Sequence, residues 1–403
     1  MVRIPVRSIV GAIAGAAARW RDPGFQPRER ARDAVSARTS YSLPAVDYAF
    51  DSLFATLRQD SIEAVIATEL GCVDVLDGFV DRPGRGRLRA LPIGRVCIVS
   101  SRTTIGVAIV PAIFALCAKC RVCIKDREDA LAAAFFATVT DELGELSEYL
   151  DAQAWDGKKD TTKLAGFDAV VAFGGDSALA EIAAQLPFAA RMIAYGSKAS
   201  AGYLTREALH DEAAARAIAR RAARDLVLYE SEGCLSLHVL FVERDAAISP
   251  ERFGELLAAA VADAAGDYPL RPRTAKEMAR LAQARDAAQF RAAGEDRVHA
   301  DAQASFLVLM DPPLEEPPLF LPRAIAVRSV GRPADATDYL QRHRIALEAL
   351  AVEDHRPDVV EIATQTGAAL IARFGNLQNP PLGSFHGSRP RIAEFVRWIS
   401  DET

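Results

Sequence analysis

Cysteine is scarce in this chain. The six residues, Cys72, Cys97, Cys117, Cys120, Cys123 and Cys234, are spread over 403 positions, which excludes a disulfide framework and fits a reducing, cytoplasmic setting. No apolar run approaches the ~20 residues needed to span a bilayer, so an integral membrane protein is excluded. Positive charge is not in excess: 48 Lys and Arg stand against 54 Asp and Glu, a formal net charge of −6. A nucleic acid partner is excluded for want of a basic surface. Also missing are a Gly-x-Ser-x-Gly elbow and a Gly-x-x-x-x-Gly-Lys-Ser/Thr loop, so the matching hydrolase and phosphate-loop classes lose their support. The six histidines form no pair at metal-binding helical spacing. Cys117, Cys120 and Cys123 have two-residue spacings but no fourth cysteine nearby, and the pattern puts the first two at a helix end and the third in a strand. No metal is expected.

What is present is the length for two lobes, each able to bury a core. Arg3 and Arg7 ahead of the apolar residues 9–18 outline a secretory signal. Gly11 and Gly15 interrupt it and Arg19 and Arg21 follow, which predicts a helix docked on the fold instead. Residues 22–39 read as a polar stretch, and residues 45–79 as one helical layer. From residue 95, short β-branched runs at 96–99, 122–124, 169–172 and 192–194 alternate with helical patterns at 105–118, 129–149 and 177–186. That alternation predicts parallel strands with crossover helices, an α/β fold. A helix at 211–226 leads to a second series, with strands at 239–242, 306–309 and 324–327 and helices at 250–264, 275–293 and 334–344. A closing helix is expected at 391–400. The resulting division is an N-terminal helical layer at 1–90, a dinucleotide-binding lobe at 91–228, a second lobe at 229–370 carrying Cys234, and a tail at 371–403.

Cys234 lies between Gly233 and the small polar Ser236, just ahead of a strand, where a turn can expose a thiol. A thiolate both attacks and leaves well, as formation and breakage of a thioester require. Gly174 and Gly175 close a strand and open a helix whose first turn includes Ser177, a geometry in which backbone N–H groups meet a pyrophosphate. Asp176 between them is read as the helix N-cap. Lys125 ends a strand at the carboxyl edge of a parallel sheet, and Arg127 beside it can reinforce phosphate binding. His386 stands in a Gly-rich tail loop, whereas His238 reads as packing within the strand after Cys234.

Together these segments resemble the acyl-CoA reductase family that includes the fatty-acid reductase subunit of bacterial luminescence, a branch of the aldehyde dehydrogenase superfamily. The likeness rests on four stretches: residues 100–126; residues 169–177 with the turn Tyr195-Gly196-Ser197-Lys198; Glu232-Gly233-Cys234-Leu235-Ser236 and the strand after it; and the tail from Phe374-Gly375-Asn376 through His386-Gly387 to Trp398. It implies two Rossmann-like lobes with the active site in the crevice between them, and a cytoplasmic homo-oligomer. It further implies Cys234 as nucleophile, Lys125 as the contact to the adenosine ribose or its 2′-phosphate, and Gly174, Gly175, Ser177 and Gly196 around the dinucleotide. The implied reaction is NADPH-dependent reduction, with NADH possible, of an acyl-CoA or carrier-bound acyl thioester to an aldehyde. The acyl group would come from acyl-CoA, a carrier protein or an acyl-protein synthetase.

Two departures from the superfamily pattern bear on mechanism. The usual oxyanion-binding Asn is replaced by Ser101-Arg102-Thr103-Thr104, leaving Thr103 or Thr104 as donors beside the Cys234 backbone N–H. One such donor typically contributes ~3 kcal/mol. The Glu that activates water in hydrolytic relatives corresponds to Ala194, so the acyl-enzyme is expected to be transferred or reduced. The competing readings are an aldehyde oxidiser that releases free acid, and a non-catalytic nucleotide- or partner-binding member of the family.

Overall fold

The computed structural model describes residues 4–84, 86–101, 104–125, 131–155, 160, 162–292 and 297–403. Four helices open the chain: α1 (Val6–Trp20), α2 (Gln26–Thr39), α3 (Leu43–Thr56) and α4 (Gln59–Leu70). There follow β1 (Val80–Asp81), β2 (Arg87–Pro92), β3 (Arg95–Val99), α5 (Ile109–Cys117), β4 (Arg121–Lys125), α6 (Leu131–Glu142), β5 (Leu150–Gln153), β6 (Ala169–Phe173), α7 (Asp176–Ala183) and β7 (Arg191–Tyr195). The second series is β8 (Ala199–Leu204), α8 (Glu212–Val227), β9 (Leu237–Glu243), α9 (Pro250–Asp267), α10 (Ala275–Ala292), β10 (Val298–His299), β11 (Leu307–Met310), β12 (Ala324–Val330), α11 (Pro333–Arg342), β13 (Leu347–Val352), α12 (Pro357–Thr366) and β14 (Leu370–Ala372). The chain closes with β15 (Val396–Asp401). No described helix is long and apolar enough to cross a membrane.

The chain divides into two compact units, Met1–Ser197 with Pro381–Thr403, and Lys198–Pro380. The boundary expected at residues 228 and 229 lies instead between Ser197 and Lys198. The reason is that β8 pairs in parallel with both β9 and β13, strands of the second unit. The expected tail likewise splits at Pro381.

In the first unit a parallel sheet runs in the order β5-β4-β3-β6-β7. Its central strands are buried along nearly their whole length, as strands covered on both faces must be. Strand order reverses between β3 and β6, the position where such sheets open a crevice at their carboxyl ends. The apolar segment at 9–18 lies within α1, which buries Ile9, Ile13, Ala16 and Trp20 against α3 and α6 and so serves as packing. Trp20 is fully buried, packs at a tilt against Phe54 with ring centres 5.0 Å apart and donates its indole N–H to Thr138 Oγ1 at 2.9 Å. Truncating a side chain placed like this costs about 3–5 kcal/mol.

The polar stretch at 22–39 contains α2, which turns Ala31 and Val35 inward. Two local expectations are corrected. The helical segment expected at 45–79 comprises α3 and α4 and stops short of residue 79, because Leu57 leaves the helical region (φ −85°, ψ 70°) and Gly71 ends α4 with φ +88°. The closing helix at 391–400 is a short 3₁₀ turn followed by β15, which pairs antiparallel with β2. Ile392, Phe395, Val396 and Ile399 have helical spacing, but β-branched residues and an available sheet edge decide for strand.

In the second unit the order is β10-β11-β12-β9-β8-β13-β14, parallel except for β10. Helices α8 and α9 cover one face through Ile218, Leu226, Phe253 and Leu257. Helices α11 and α12 cover the other through Tyr339, Leu340, Val359 and Ile362. Strands β8, β9 and β13 are consequently buried at every position, including the polar residues Ser200, His238 and Glu348.

Candidate active site

The second unit holds the nucleophile candidate. Cys234 is half-buried in the turn between α8 and β9. Ser200, the second residue of β8, donates its hydroxyl to the Cys234 carbonyl at 2.8 Å. Ser236 N–H closes the turn onto the Gly233 carbonyl at 3.0 Å. Beneath the turn, Gln378 donates to Ser236 Oγ at 3.1 Å and to the Asp225 carbonyl at 3.2 Å, while Asp225 Oδ2 accepts the Gly375 N–H at 2.5 Å. The segment Phe374-Gly375-Asn376-Leu377-Gln378 is therefore a strut under the cysteine turn.

Two charged residues flank this turn. Lys198 immediately precedes β8, and its ammonium lies 3.3 Å from Glu348 Oε2, a carboxylate buried at the start of β13. The thiol of Cys234 is pushed up to about 12, chiefly by burial and next by the negative charge of Glu348. Backbone N–H groups of Cys234 and Leu235, together with Lys198, pull the other way. At neutral pH the residue is a thiol whose sulfur already faces the donors a thiolate would use.

Upstream of Cys234 the backbone is strained. Tyr229, Glu230 and Ser231 all hold left-handed conformations, with φ of 54°, 53° and 58°. For residues with side chains each costs of order 1–3 kcal/mol and persists only where surrounding contacts enforce it. His238 is buried in β9, and its Nε2 lies 3.1 Å from the Ser231 carbonyl, an acceptor, so that nitrogen carries the proton. Burial pushes the ring down to about 4, so it is neutral.

The first unit gathers the dinucleotide candidates at the carboxyl ends of its strands. Gly174 follows β6 and donates its N–H to the Tyr195 carbonyl at 3.2 Å; Gly175 is the N-cap residue of α7. Asp176 is the first helical residue, which corrects the expected N-cap role. Its carboxylate accepts the Ser197 N–H at 3.1 Å, tying the turn after β7 to the start of α7. A Cβ on Gly196 would stand 2.9 Å from Asp176 Oδ1, so a side chain there would push the carboxylate that accepts the Ser197 N–H. Ser177 is exposed in the first turn of α7. His386 joins this group through a stack: Phe173 and Tyr195 lie parallel at 4.6 Å, and the His386 ring is 4.7 Å from Tyr195 and 5.8 Å from Phe173. Gly387, at φ +59°, permits that contact, since a Cβ would come within 2.9 Å of the Tyr195 ring.

Lys125 ends β4, is buried, and holds its ammonium 4.8 Å from the centre of the Trp155 indole. Thr104 is half-buried in the turn between β3 and α5. Thr103 and Arg127 lie outside the described residues. The other grouped thiols have a plain structural setting: Cys117 ends α5, Cys120 precedes β4, and Cys123 lies within β4. Burial pushes Cys120 up to about 12 and Cys123 to about 11, as suits inert packing thiols.

The sequence grouped Gly174, Gly175, Ser177 and Gly196 as dinucleotide candidates and read His386 separately as catalytic, whereas the structure sets His386 against Phe173 and Tyr195. Sequence reasoning missed Glu348, Ser200 and Trp155. A single Glu inside the otherwise apolar run at 345–352 was a usable signal for Glu348, because a buried carboxylate in a central strand needs a partner.

The sequence profile of the family described as acyl-CoA reductase (LuxC) matches residues 1–398. Compared with curated protein sequences, the chain finds no match. Among solved structures it is similar to an NAD-dependent benzaldehyde dehydrogenase from Corynebacterium glutamicum, with TM-score 0.73 and 15% identity over 99% of this chain and 85% of that one. It is similar also to aldehyde dehydrogenase 21 from Physcomitrella patens, with TM-score 0.69 and 10% identity over 98% and 85%. An acetylating aldehyde dehydrogenase from Geobacillus thermoglucosidasius gives TM-score 0.67 and 14% identity over 100% and 92%. At these identities the likeness establishes the fold, that of the aldehyde dehydrogenases.

Proposed function

The chain belongs to the acyl-CoA reductase family, and from that premise we propose that it reduces an acyl thioester to an aldehyde with NADPH, through an acyl group held on Cys234. The observation that carries this reading is the half-buried Cys234 thiol, set in a braced turn with backbone N–H groups facing its sulfur.

The Cys234 sulfur loses its proton and attacks the acyl carbonyl carbon. As the new C–S bond forms, the carbonyl electrons move to oxygen; they return as the bond to the carrier sulfur breaks, and the released carrier thiolate takes up a proton. The Cys234 N–H, with Thr103 or Thr104, donates to the oxyanion. Reduced nicotinamide, when bound, supplies a hydride to the acyl carbon. In the resulting thiohemiacetal the hydroxyl loses its proton as the C–S bond breaks, releasing aldehyde, and the departing sulfur takes up a proton to restore the thiol. His386 is the candidate for this proton transfer. Gly174, Gly175 and Ser177 at the first turn of α7 fit a pyrophosphate, because their backbone approaches freely and Asp176 is occupied with Ser197. Lys125, with Arg127, fits the ribose or its 2′-phosphate. Ala194 offers no carboxylate to activate water, which favours reduction over hydrolysis.

The acyl donor is acyl-CoA or a carrier-bound acyl group, and the cofactor is NADPH in preference to NADH. The test is incubation with acyl-CoA and NADPH while free CoA and aldehyde are measured. Equal release of both, abolished in Cys234→Ala, is the expected result. In a parallel incubation with aldehyde and NADP+, free acid formed without CoA would point to an aldehyde oxidiser, and no product with bound nucleotide to a non-catalytic binder.

A further inference from the structure

The backbone just ahead of Cys234 carries three left-handed residues in succession, none of them glycine. Such a run does not hold itself, since the left-handed region is visited by isolated residues rather than by stretches. The restraints are visible. Ser231 Oγ donates to the Leu226 carbonyl at 2.7 Å and accepts the Arg323 N–H at 3.2 Å. Glu230 Oε1 accepts from Arg323 Nη2 at 2.6 Å and from the Arg271 N–H at 3.4 Å. Arg271 Nη2 reaches Glu232 Oε1 at 2.5 Å, and the Glu232 N–H donates to the Tyr229 carbonyl at 2.9 Å. Arg323 itself sits at φ 51° and gives a second bond from Nη2 to the Tyr268 carbonyl at 2.7 Å.

At the centre are two opposite charges that water does not reach. Arg323 is 1% exposed and Glu230 3%. An ion pair kept for stability would be two-pronged, with its remaining atoms satisfied. This one is not. Glu230 Oε2 and Arg323 Nε and Nη1 have no hydrogen-bond partner among the described residues. Desolvation of such a pair offsets most of its attraction, so its contribution is better sought in the conformation it imposes.

We propose that Glu230 and Arg323 are positioning residues: their buried pair locks the left-handed turn at Tyr229, Glu230 and Ser231 and thereby fixes the Cys234 sulfur for attack. This rests on the reading of Cys234 as the acylated thiol. The pair acts through the chain, four residues upstream of the nucleophile. Without it the turn relaxes, and Cys234 spends most of its time out of line with an incoming carbonyl. Small misplacements of this kind lower rate far more than affinity.

The test compares wild type with Arg323→Lys and with the double variant E230Q/R323M, which removes both charges at similar volume and spares the protein a lone buried charge. Three quantities are read: melting temperature, the rate of Cys234 alkylation by iodoacetamide followed by mass spectrometry, and kcat and KM with acyl-CoA. In the double variant we expect a melting temperature within a few degrees of wild type, alkylation and kcat lowered about tenfold or more, and KM nearly unchanged. Arg323→Lys, which keeps a charge able to reach Glu230, should recover much of that rate. Wild-type alkylation and kcat in the double variant overturn the proposal. So does a loss of rate accounted for entirely by a smaller folded fraction. Alkylation requires no acyl-CoA, so failure of acyl transfer in wild type would sink the catalytic reading while the alkylation comparison still judges the clamp.

Discussion

The two units place their chemistry at opposite ends of their strands. In the first, Lys125 ends β4 and Gly174 and Gly196 directly follow β6 and β7, at the carboxyl edge of the sheet. In the second, Lys198, Ser200, Cys234 and Glu348 stand ahead of, or within the first two residues of, β8, β9 and β13, at the amino edge. The carboxyl edge collects helix N-termini, whose free N–H groups and positive dipole end suit phosphate. The amino edge collects helix C-termini; α8 ends at Val227 and delivers the chain straight into the cysteine turn. A thiol placed there receives no help from a helix N-terminus, and burial with Glu348 holds it near 12. On the proposed reading, one edge would hold an anion and the other would keep the Cys234 thiol protonated until a substrate binds.

That contrast breaks first under Cys234→Ala. Aldehyde formation should fall by about a thousandfold or more, while NADPH binding measured by fluorescence stays at the wild-type value. A variant that lost both would show that the two edges are not separable. The complementary change, Lys125→Ala, removes a buried charge from the carboxyl edge. It should weaken NADPH about 10- to 100-fold, as loss of a charged hydrogen bond does, and leave single-turnover acylation of Cys234 unaltered. Slowed acylation in that variant would argue against the division of labour.

How much of this contrast was legible in the sequence differs between the edges. The carboxyl edge was largely readable, because strand, glycine turn and helix follow one another in a single segment, as in residues 169–177. The amino edge was not. It is assembled from residues 198–200, 234 and 348, brought together by the parallel pairing of β8 with β9 and β13. Strands β8 and β13 carry Ala, Gly and Ser among few β-branched residues, so their local propensity is weak and burial between helices decides them. The unit boundary was misplaced for the same reason, since β8 was not seen. The left-handed turn has no glycine to advertise it, and Arg323 lies 93 positions from its partner Glu230.

Smaller effects sharpen the picture. Glu348→Gln removes the charge that opposes the thiolate, so alkylation of Cys234 at pH 8 should be several-fold faster than in wild type. In both proteins the rate should climb about tenfold per pH unit between 7 and 10 without levelling off, because only the thiolate reacts. A plateau near pH 8 in wild type would contradict the raised thiol.

The strut beneath the turn provides the mildest test. Burial pushes the Asp225 carboxyl up to about 7 from an ordinary 3.8. The folded protein thus keeps a proton that the unfolded chain has lost across that range, so this group's contribution falls as pH rises through it. His238 is pushed down to about 4 from 6.5. There the unfolded chain gains a proton that the folded one refuses, so stability falls as pH drops from 6.5 toward 4. The two slopes oppose each other. Asp225→Asn, whose side-chain oxygen still accepts the Gly375 N–H, should expose a rise in denaturant midpoint from pH 4 to 6.5 that wild type lacks. Parallel profiles would remove Asp225 from the account.

The most direct measurement is the mass of the intact protein after brief exposure to acyl-CoA without reductant, followed by addition of NADPH. The account predicts one acyl group per chain, mapped by peptide sequencing to Cys234 and discharged as aldehyde when NADPH is added. An unmodified protein, or an acyl group carried on any other residue, would contradict it.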